Sequence, residues 1–304
     1  MKAQIVGIGA CVADTLWCLP TYPTEDTKMK AEESRQAGGG PVATGLVAAA
    51  KLGADTAFIG NLADDASGRF LYSDFEKYGV RTDLITTLSG YRSFSSALLL
   101  AGDSGTRTCV FDRGNLPPTV LNVAQKTAIA EAEILMVDGN DLNAAVEGAG
   151  IARAAGKRVL YDCGGNYPNV ARLLAVSDIL IPSEEFALAE TGCKIAADAA
   201  KALFDTYHPA VVVITQGRRG GILFDGTKPT AYPIYPARVV DSNGAGDVFH
   251  GAFAAALLRG YDFLTCCHFA SATSALKCTG IGARESVPDF ETVRTYLKEN
   301  GYEL

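Results

Sequence analysis

Asp241-Ser-Asn-Gly-Ala-Gly-Asp247 runs directly into Val248-Phe-His-Gly-Ala-Phe-Ala-Ala-Ala-Leu-Leu-Arg259. The first half is a glycine-rich turn, and the second reads as a long apolar helix. At the helix N-terminus the backbone N–H groups of Gly244, Ala245 and Gly246 would point outward and unpaired, which makes an anion cradle. Small residues let a phosphate approach that backbone closely. An acid beside such a cradle makes poor sense for passive anion binding, because like charges repel. It suits a base: Asp247 would take a proton from a hydroxyl attacking a phosphate while the cradle neutralises the developing charge. The plain alternative is a tight turn with an acidic first turn, which the helix macrodipole alone favours.

Upstream of this stretch, short β-branched runs alternate with alanine-rich helical segments. The strands expected are Ile5-Ile8, Thr56-Ile59, Ile134-Val137, Val159-Tyr161, Ile179-Ile181 and Val211-Ile214. Their continuous apolar character suits a parallel sheet covered on both faces. Helices are expected over 41–52, 67–78, 142–155, 195–206, 246–259, 263–277 and 289–299. The alternation implies a doubly wound α/β fold with a mostly parallel sheet, formed as one domain over 1–304. Segments 15–36 and 91–113 break the rhythm. They are richer in polar residues and carry period-two alternation, as in Ser93-Phe-Ser-Ser-Ala-Leu-Leu99. They read as antiparallel strands outside the main sheet.

Bulk properties narrow the function classes. The 304 residues are 48% hydrophobic and 20% charged, enough to bury one sizeable core. With a net charge of −7 and no basic stripe, a nucleic-acid partner is not expected. No run reaches the roughly 20 apolar residues of a membrane span, and the N-terminus has no apolar signal core. The eight cysteines contain no CxxC, and the three histidines have no metal-ligand spacing, so reduced thiols in a cytoplasmic enzyme are expected. Two other phosphate-binding motifs fail. Gly7-Ile-Gly9 follows a strand, but Val12 stands where G-x-G-x-x-G needs its third glycine. Gly156-Lys157 is followed by Arg158 and a strand, unlike a Walker-A loop. Phosphate handling therefore falls to Gly244-Ala-Gly246.

Asp14 follows the first strand, near its carboxyl end, where open α/β sheets bind ligands. Its carboxylate could accept two hydroxyls of a ligand; a surface acid or helix cap is the alternative. Gly38-Gly39-Gly40 precedes Pro41 and gives either an ordinary helix start or a close backbone approach to a ligand. Ser183 with Glu184 and Glu185 reads equally as an N-cap followed by favourable acids. Thr215, Gly217 and Gly220 follow a strong strand and suit either a phosphate-facing turn or a strand-to-strand turn. Lys28, Arg35, Arg92, Arg107 and Arg113 fall in or near the two irregular segments. The default for these is solvated charge, and the sharper reading has Arg92 or Arg113 meeting an anionic substrate group.

These segments together resemble the ribokinase-like (PfkB) carbohydrate kinases. Asp-x-x-Gly-Ala-Gly-Asp-x-Phe-x-Gly at 241–251 is similar to that family's C-terminal signature. Cys11-Val-Ala-Asp14, Ala37-Gly-Gly-Gly-Pro-Val-Ala-Thr44, Gly60-Asn-Leu-Ala-Asp-Asp-Ala-Ser-Gly68, Thr215-Gln-Gly-Arg-Arg-Gly220 and Thr279-Gly-Ile-Gly-Ala-Arg-Glu-Ser-Val-Pro288 match other family segments in the expected order. The resemblance implies an ATP-dependent kinase acting on a primary hydroxyl of a small sugar, a ketose or furanose type. Asp247 would be the base, with Asp14, Gly38, Gly39 and Gly40 at the sugar. Thr215, Gly217 and Gly220 would lie at ATP, and Mg2+ at the ATP phosphates. Asp241 and Ser286 match positions where relatives hold a monovalent cation, K+. The irregular segments would be a β lid over the sugar, through which a homodimer forms.

The chain departs from the family at two places. Pro41-Val-Ala-Thr44 lacks the asparagine that in many relatives follows the glycine run. Ser183 and Phe186 stand where relatives carry the asparagine and acid that organise magnesium, leaving Glu184 or Glu185 as substitutes. Several stretches are similar to the branch containing 6-deoxy-6-sulfofructose kinases, which suggests an anionic sugar as an alternative. However, Asp138-Gly-Asn-Asp141 stands where that branch places its sulfonate-binding arginine. A nucleoside kinase, or a catalytically silent sugar or nucleotide sensor, would use the same scaffold; the retained Asp247 argues against the sensor.

Overall fold

The computed structural model describes residues 2–104, 106–165 and 167–304. From the N-terminus, β1 (Ile5–Ile8), β2 (Val12–Leu19) and β3 (Glu33–Gly39) lead to α1 (Pro41–Lys51), β4 (Thr56–Ala63) and α2 (Ala66–Lys77). The short β5 (Val80–Arg81) and β6 (Ile85–Leu88) precede β7 (Ser95–Ala101) and β8 (Thr106–Asp112). Next come α3 (Val123–Glu131), β9 (Ile134–Val137), α4 (Leu142–Ala154), β10 (Arg158–Cys163) and α5 (Ala171–Leu174). They are followed by β11 (Ile179–Pro182), α6 (Glu184–Thr191), α7 (Ala196–Tyr207), β12 (Val211–Thr215), β13 (Gly221–Phe224) and β14 (Thr230–Tyr232). Three helices end the chain: α8 (Ala245–Leu258), α9 (Phe263–Lys277) and α10 (Phe290–Glu299).

The main sheet runs β14-β13-β12-β11-β10-β9-β1-β4-β5, with β6 also paired to β4. It is parallel except for β13 and β14, which add an antiparallel edge. Period-two alternation sends side chains of each strand into two cores. Ile134, Met136, Ile179, Ile181, Val211 and Val213 enter one, with residues of α1, α2, α8, α9 and α10. Leu135, Val137, Leu180, Val212 and Ile214 enter the other, under α3, α4, α6 and α7. Burial on both faces is why these strands read as unbroken apolar runs. Every strand and helix expected from the sequence is present. The antiparallel edge and α3, α5 and α6 were not expected, being short or weakly periodic. Among the described residues no helix is long and apolar enough to cross a membrane.

The two irregular segments supply a second sheet of order β3-β2-β7-β8. Of the expected lid, Gly105 lies outside the described residues. The β2–β3 and β7–β8 pairs are antiparallel, as expected, but β2 and β7 join in parallel. The sheet also begins earlier and ends later than expected, at Val12 and Gly39, because extended backbone persists until Gly40 turns at φ 93° to cap α1. Asp14, Gly38 and Gly39 therefore belong to this second sheet and not to loops of the main one.

Arg284 ties the two sheets together. Its side chain is completely buried. Nη1 donates to Asp74 Oδ2 of α2 at 2.5 Å, Nη2 to the Gly39 carbonyl of β3 at 2.7 Å, and Nε to Thr44 Oγ1 of α1 at 3.4 Å. A side chain at Gly38 would collide with this guanidinium. Removing one partner of a buried, hydrogen-bonded pair strands the other charge. Arg284→Met should therefore cost about 3–5 kcal/mol in denaturant unfolding. Arg284→Met with Asp74→Leu should recover much of it, because no charge is then left unpaired. A single variant as stable as wild type would show that the pair carries no such weight.

Candidate active site

The chain leaves β1 for β4 on one side and later places β9 on the other, so the carboxyl ends of β1 and β9 frame a crevice. An aspartate stands at the carboxyl end of each of two neighbouring strands there, β9 and β10. Asp138, after β9, is 1% exposed and accepts from the backbone N–H groups of Ala10 (2.8 Å), Val42 (3.4 Å) and Asn140 (2.8 Å). Burial pushes its carboxyl up to about 6 despite those bonds. Asp162, in β10, is also buried, and burial raises it too. Its Oδ1 accepts from Gly164 N, whereas its Oδ2 has no hydrogen-bond partner and faces His250 Nδ1 at 3.3 Å.

His250 lies on α8, one turn from Asp247. Its Nδ1 is 2.6 Å from the Gly246 carbonyl and its Nε2 is 2.9 Å from the Ile181 carbonyl. The ring thus pins the first turn of α8 to the end of β11. Gly244 caps that helix in the left-handed region, at φ 73°. A Cβ there would press on Ala283. Val248 N is the first in the helix to bond back, to Gly244 O at 2.9 Å. Ala245 N makes a long turn bond to Ser242 O at 3.3 Å, so the three-donor cradle expected from the sequence reduces to two clear donors. Among the described residues, the N–H groups of Gly244 and Gly246 have no partner in reach. α8 can sit this deep because Gly45 and Gly251 let α1 and α8 meet backbone to backbone.

Asp247 follows in the first turn. Burial pushes its carboxyl up to about 6, the Asp162 charge adds to this, and His250, Arg284 and Arg107 oppose it. Asp14 comes to the same place from the second sheet. It is 9% exposed, its Oδ1 accepts from Ser96 Oγ of β7 at 2.5 Å, and burial also pushes it to about 6. The Asp247 charge is among those raising it, so the two acids share one site. Gly39 lies against the Asp14 carboxylate, where a side chain would not fit.

A polar cavity of about 510 Å³ adjoins this site, lined by Gly9, Phe94, Arg113, Asn140 and Asp141 among others. The Arg113 guanidinium lies over the rings of Phe94, Phe111 and Tyr167, and donates to Asn140 Oδ1 at 2.8 Å. Arg92 is placed differently. It points to the surface and pairs with Asp112 at 3.2 Å, so the structure does not bring it to the site.

A second cavity, of about 880 Å³, opens on the other side of the α8 head. Thr215, Gly217 and Gly220 line it together with Ala245 and Gly246. Thr215–Gly220 is also the turn of the β12–β13 hairpin, closed by Gln216 N to Gly220 O at 2.8 Å, as the strand-to-strand reading expected. The wall is largely apolar and includes Tyr232, Tyr235, Phe249 and Ala275. Ser183 is the N-cap of α6, accepting from Phe186 N at 3.2 Å. Glu184 accepts from Gln216 Nε2 at 2.7 Å and pairs with Arg219. The helix-start reading of these two accounts for their contacts. No described cluster of three His, Cys, Asp or Glu side chains could cage a metal ion. Among the described residues two buried carboxylate oxygens have no hydrogen-bond partner, Asp162 Oδ2 and Glu285 Oε2; Asp162 Oδ2, at the carboxyl end of β10, would suit a magnesium ion that keeps most of its waters.

Asp241 and Ser286 are brought into one loop cluster. Asp241 Oδ1 accepts from Asn243 N at 2.8 Å and Oδ2 from Gly282 N at 2.9 Å; Ser286 Oγ donates to the Gly282 carbonyl at 2.8 Å. Lys277, at the end of α9, donates to the Asp241 carbonyl at 2.8 Å.

Sequence reasoning missed Asp138, Asp162, His250, Arg284 and Lys277. Two left a signal: Val137-Asp138 and Tyr161-Asp162 each put a lone acid at the carboxyl end of an apolar strand. The others depend on contacts between residues far apart in the chain.

Residues 2–289 match the model of the pfkB family carbohydrate kinases. The chain is 27% identical to a ribokinase of Haemophilus influenzae over 98% of this chain and 99% of that one. It is 26% identical to a 5-dehydro-2-deoxygluconokinase of Clostridium perfringens over 98% and 94%. The structure of Arabidopsis thaliana ribokinase complexed with ribose and ATP superimposes with a TM-score of 0.88, at 28% identity over 98% of this chain and 99% of that one. The chain belongs to the pfkB family of carbohydrate kinases.

Proposed function

We propose that this enzyme transfers the γ-phosphoryl group of ATP to a primary hydroxyl of a small ketose or furanose-type sugar. The observation that carries the reading is the position of Asp247. It stands beside the unpartnered N–H groups of Gly244 and Gly246 and in electrostatic contact with Asp14. In this reading the sugar lies between Asp14, Gly39 and the polar cavity, and ATP occupies the 880 Å³ cavity. A carboxyl near 6 is ionised at neutral pH yet basic enough to take a hydroxyl proton. The α8 N-terminus then faces the transferring group, whose charge it stabilises. Magnesium, when bound, would neutralise phosphate charge, with Asp162 toward its waters. The second sheet would act as the lid that excludes water. A homodimer through that lid belongs to the same proposal, supported by the exposed Trp17 and Val110.

Arg113 supports a second reading, in which the sugar carries an anionic group. Its guanidinium is held by three rings and Asn140 at the polar cavity.

Three outcomes are expected. Asp247→Asn should lower kcat at least about 10²-fold while ATP still binds by calorimetry; turnover within about threefold of wild type would remove Asp247 from the base role. In a pH series, kcat/KM should be held above pH 6 and fall as pH drops through about 6, where Asp247 takes up its proton. An unchanged rate down to pH 5 would be incompatible with this base. Last, Arg113→Ala should weaken an anionic sugar by about 1.5–3 kcal/mol and a neutral one much less. Equal losses across a panel of neutral and acidic sugars would dismiss the anionic reading.

A further inference from the structure

Lys277 ends α9, where a lysine ordinarily extends into water and interacts weakly with the helix carbonyls. Here its side chain is completely buried, among the largest fully buried side chains of the protein. A buried ammonium is costly unless it is paired. Its partner is Asp241: Nζ donates to the backbone carbonyl at 2.8 Å and lies 4.0 Å from carboxylate Oδ2. Asp241 is the hub of the loops that form the α8 head. Its carboxylate clamps Asn243 N on one loop and Gly282 N on the other, and Ser286 holds the Gly282 carbonyl. Backbone bonds from Val240 N and Asp241 N to the Cys278 carbonyl, at 2.8 and 3.2 Å, fix Lys277 against that hub. Asp247 and Lys277 also feel each other's charge.

We propose that the Lys277 ammonium is the resident monovalent cation of this kinase. It takes the place of the potassium ion that the resemblance of Asp241 and Ser286 led us to expect. A bound K+ needs several oxygens, and here both the carbonyl and the carboxylate of Asp241 already face an ammonium. A second cation beside Lys277 would meet like-charge repulsion in a site shielded from water. Lys277 is thus a positioning residue. It neutralises Asp241, holds the 241–243 and 280–286 loops together and adds positive field behind the Gly244 and Gly246 N–H groups. The covalent tether means that the loop is ordered without an ion from solution.

The inference rests on the kinase reading for its rate effect but not for its ion specificity, so the test uses two readouts. The first is initial rate against KCl at constant ionic strength balanced with tetramethylammonium chloride. The second is the melting midpoint of the protein without nucleotide over the same series. Wild type should be flat in both. Lys277→Ala should lose about tenfold or more in kcat in tetramethylammonium. It should regain rate and melting midpoint, saturably, with K+ or methylammonium. Lys277→Met, which keeps the packing, should lose rate and regain none. Saturable K+ activation or stabilisation of wild type would overturn the proposal, as would Lys277→Met with full activity in K+-free buffer. If neither variant folds, the wild-type titration decides: a flat response supports the built-in cation and a saturable one rejects it. If the kinase reading itself fails, the melting series still answers the ion question.

Discussion

The buried Arg284 guanidinium is the junction on which the rest of the structure depends. One side chain on the 279–288 segment bonds α2 through Asp74, β3 through Gly39 and α1 through Thr44. These parts of the chain are separated by up to 245 residues. A charge so far from water holds only if every donor is used. The requirement fixes the second sheet, the α1–α8 layer and the C-terminal loop relative to one another. The glycines of β3 follow from it: Gly38 and Gly39 lack side chains because Arg284 and Asp14 occupy that space.

Around this junction the protein gathers carboxylates that water would keep apart. Asp14, Asp138, Asp162 and Asp247 come from four elements, and burial raises all four. Raised acids are unfavourable to the folded state near neutral pH, because their charged forms have lost solvent. Such groups concentrate where chemistry needs a base near neutrality. The protein offsets the cost locally, with backbone N–H groups on Asp138, Ser96 on Asp14, and the Arg284 and His250 charges near Asp247. Asp162 has less compensation, since one of its oxygens accepts no hydrogen bond.

In the proposed reaction the two cavities would divide the substrate requirements. The larger is largely apolar and ends at the Gly244–Gly246 turn, which suits a flat base at one end and phosphates at the other. The smaller is polar and carries Arg113 over aromatic rings. Between them the head of α8 is held from below by His250 and from behind by the Asp241–Lys277 pair. In the proposed reaction the helix field would therefore act at a fixed point, and its donors would not need to reorganise as charge develops.

The sequence by itself determined the fold class, because period-two burial on both sheet faces writes unbroken apolar strands and a glycine-capped helix writes Gly244-Ala-Gly-Asp247. It also placed Asp247, the 215–220 turn and the two segments of the second sheet, all of which are local patterns. It could not fix where the second sheet starts or its parallel β2–β7 pair, since register depends on a partner some 80 residues away. It overestimated the cradle by one donor and gave Arg92 a role that a surface pair with Asp112 absorbs. Lys277 and Arg284 read as ordinary basic residues. Only tertiary structure decided that both are buried, because the cost of burying a charge is met by partners that are remote in the chain and adjacent only once it has folded.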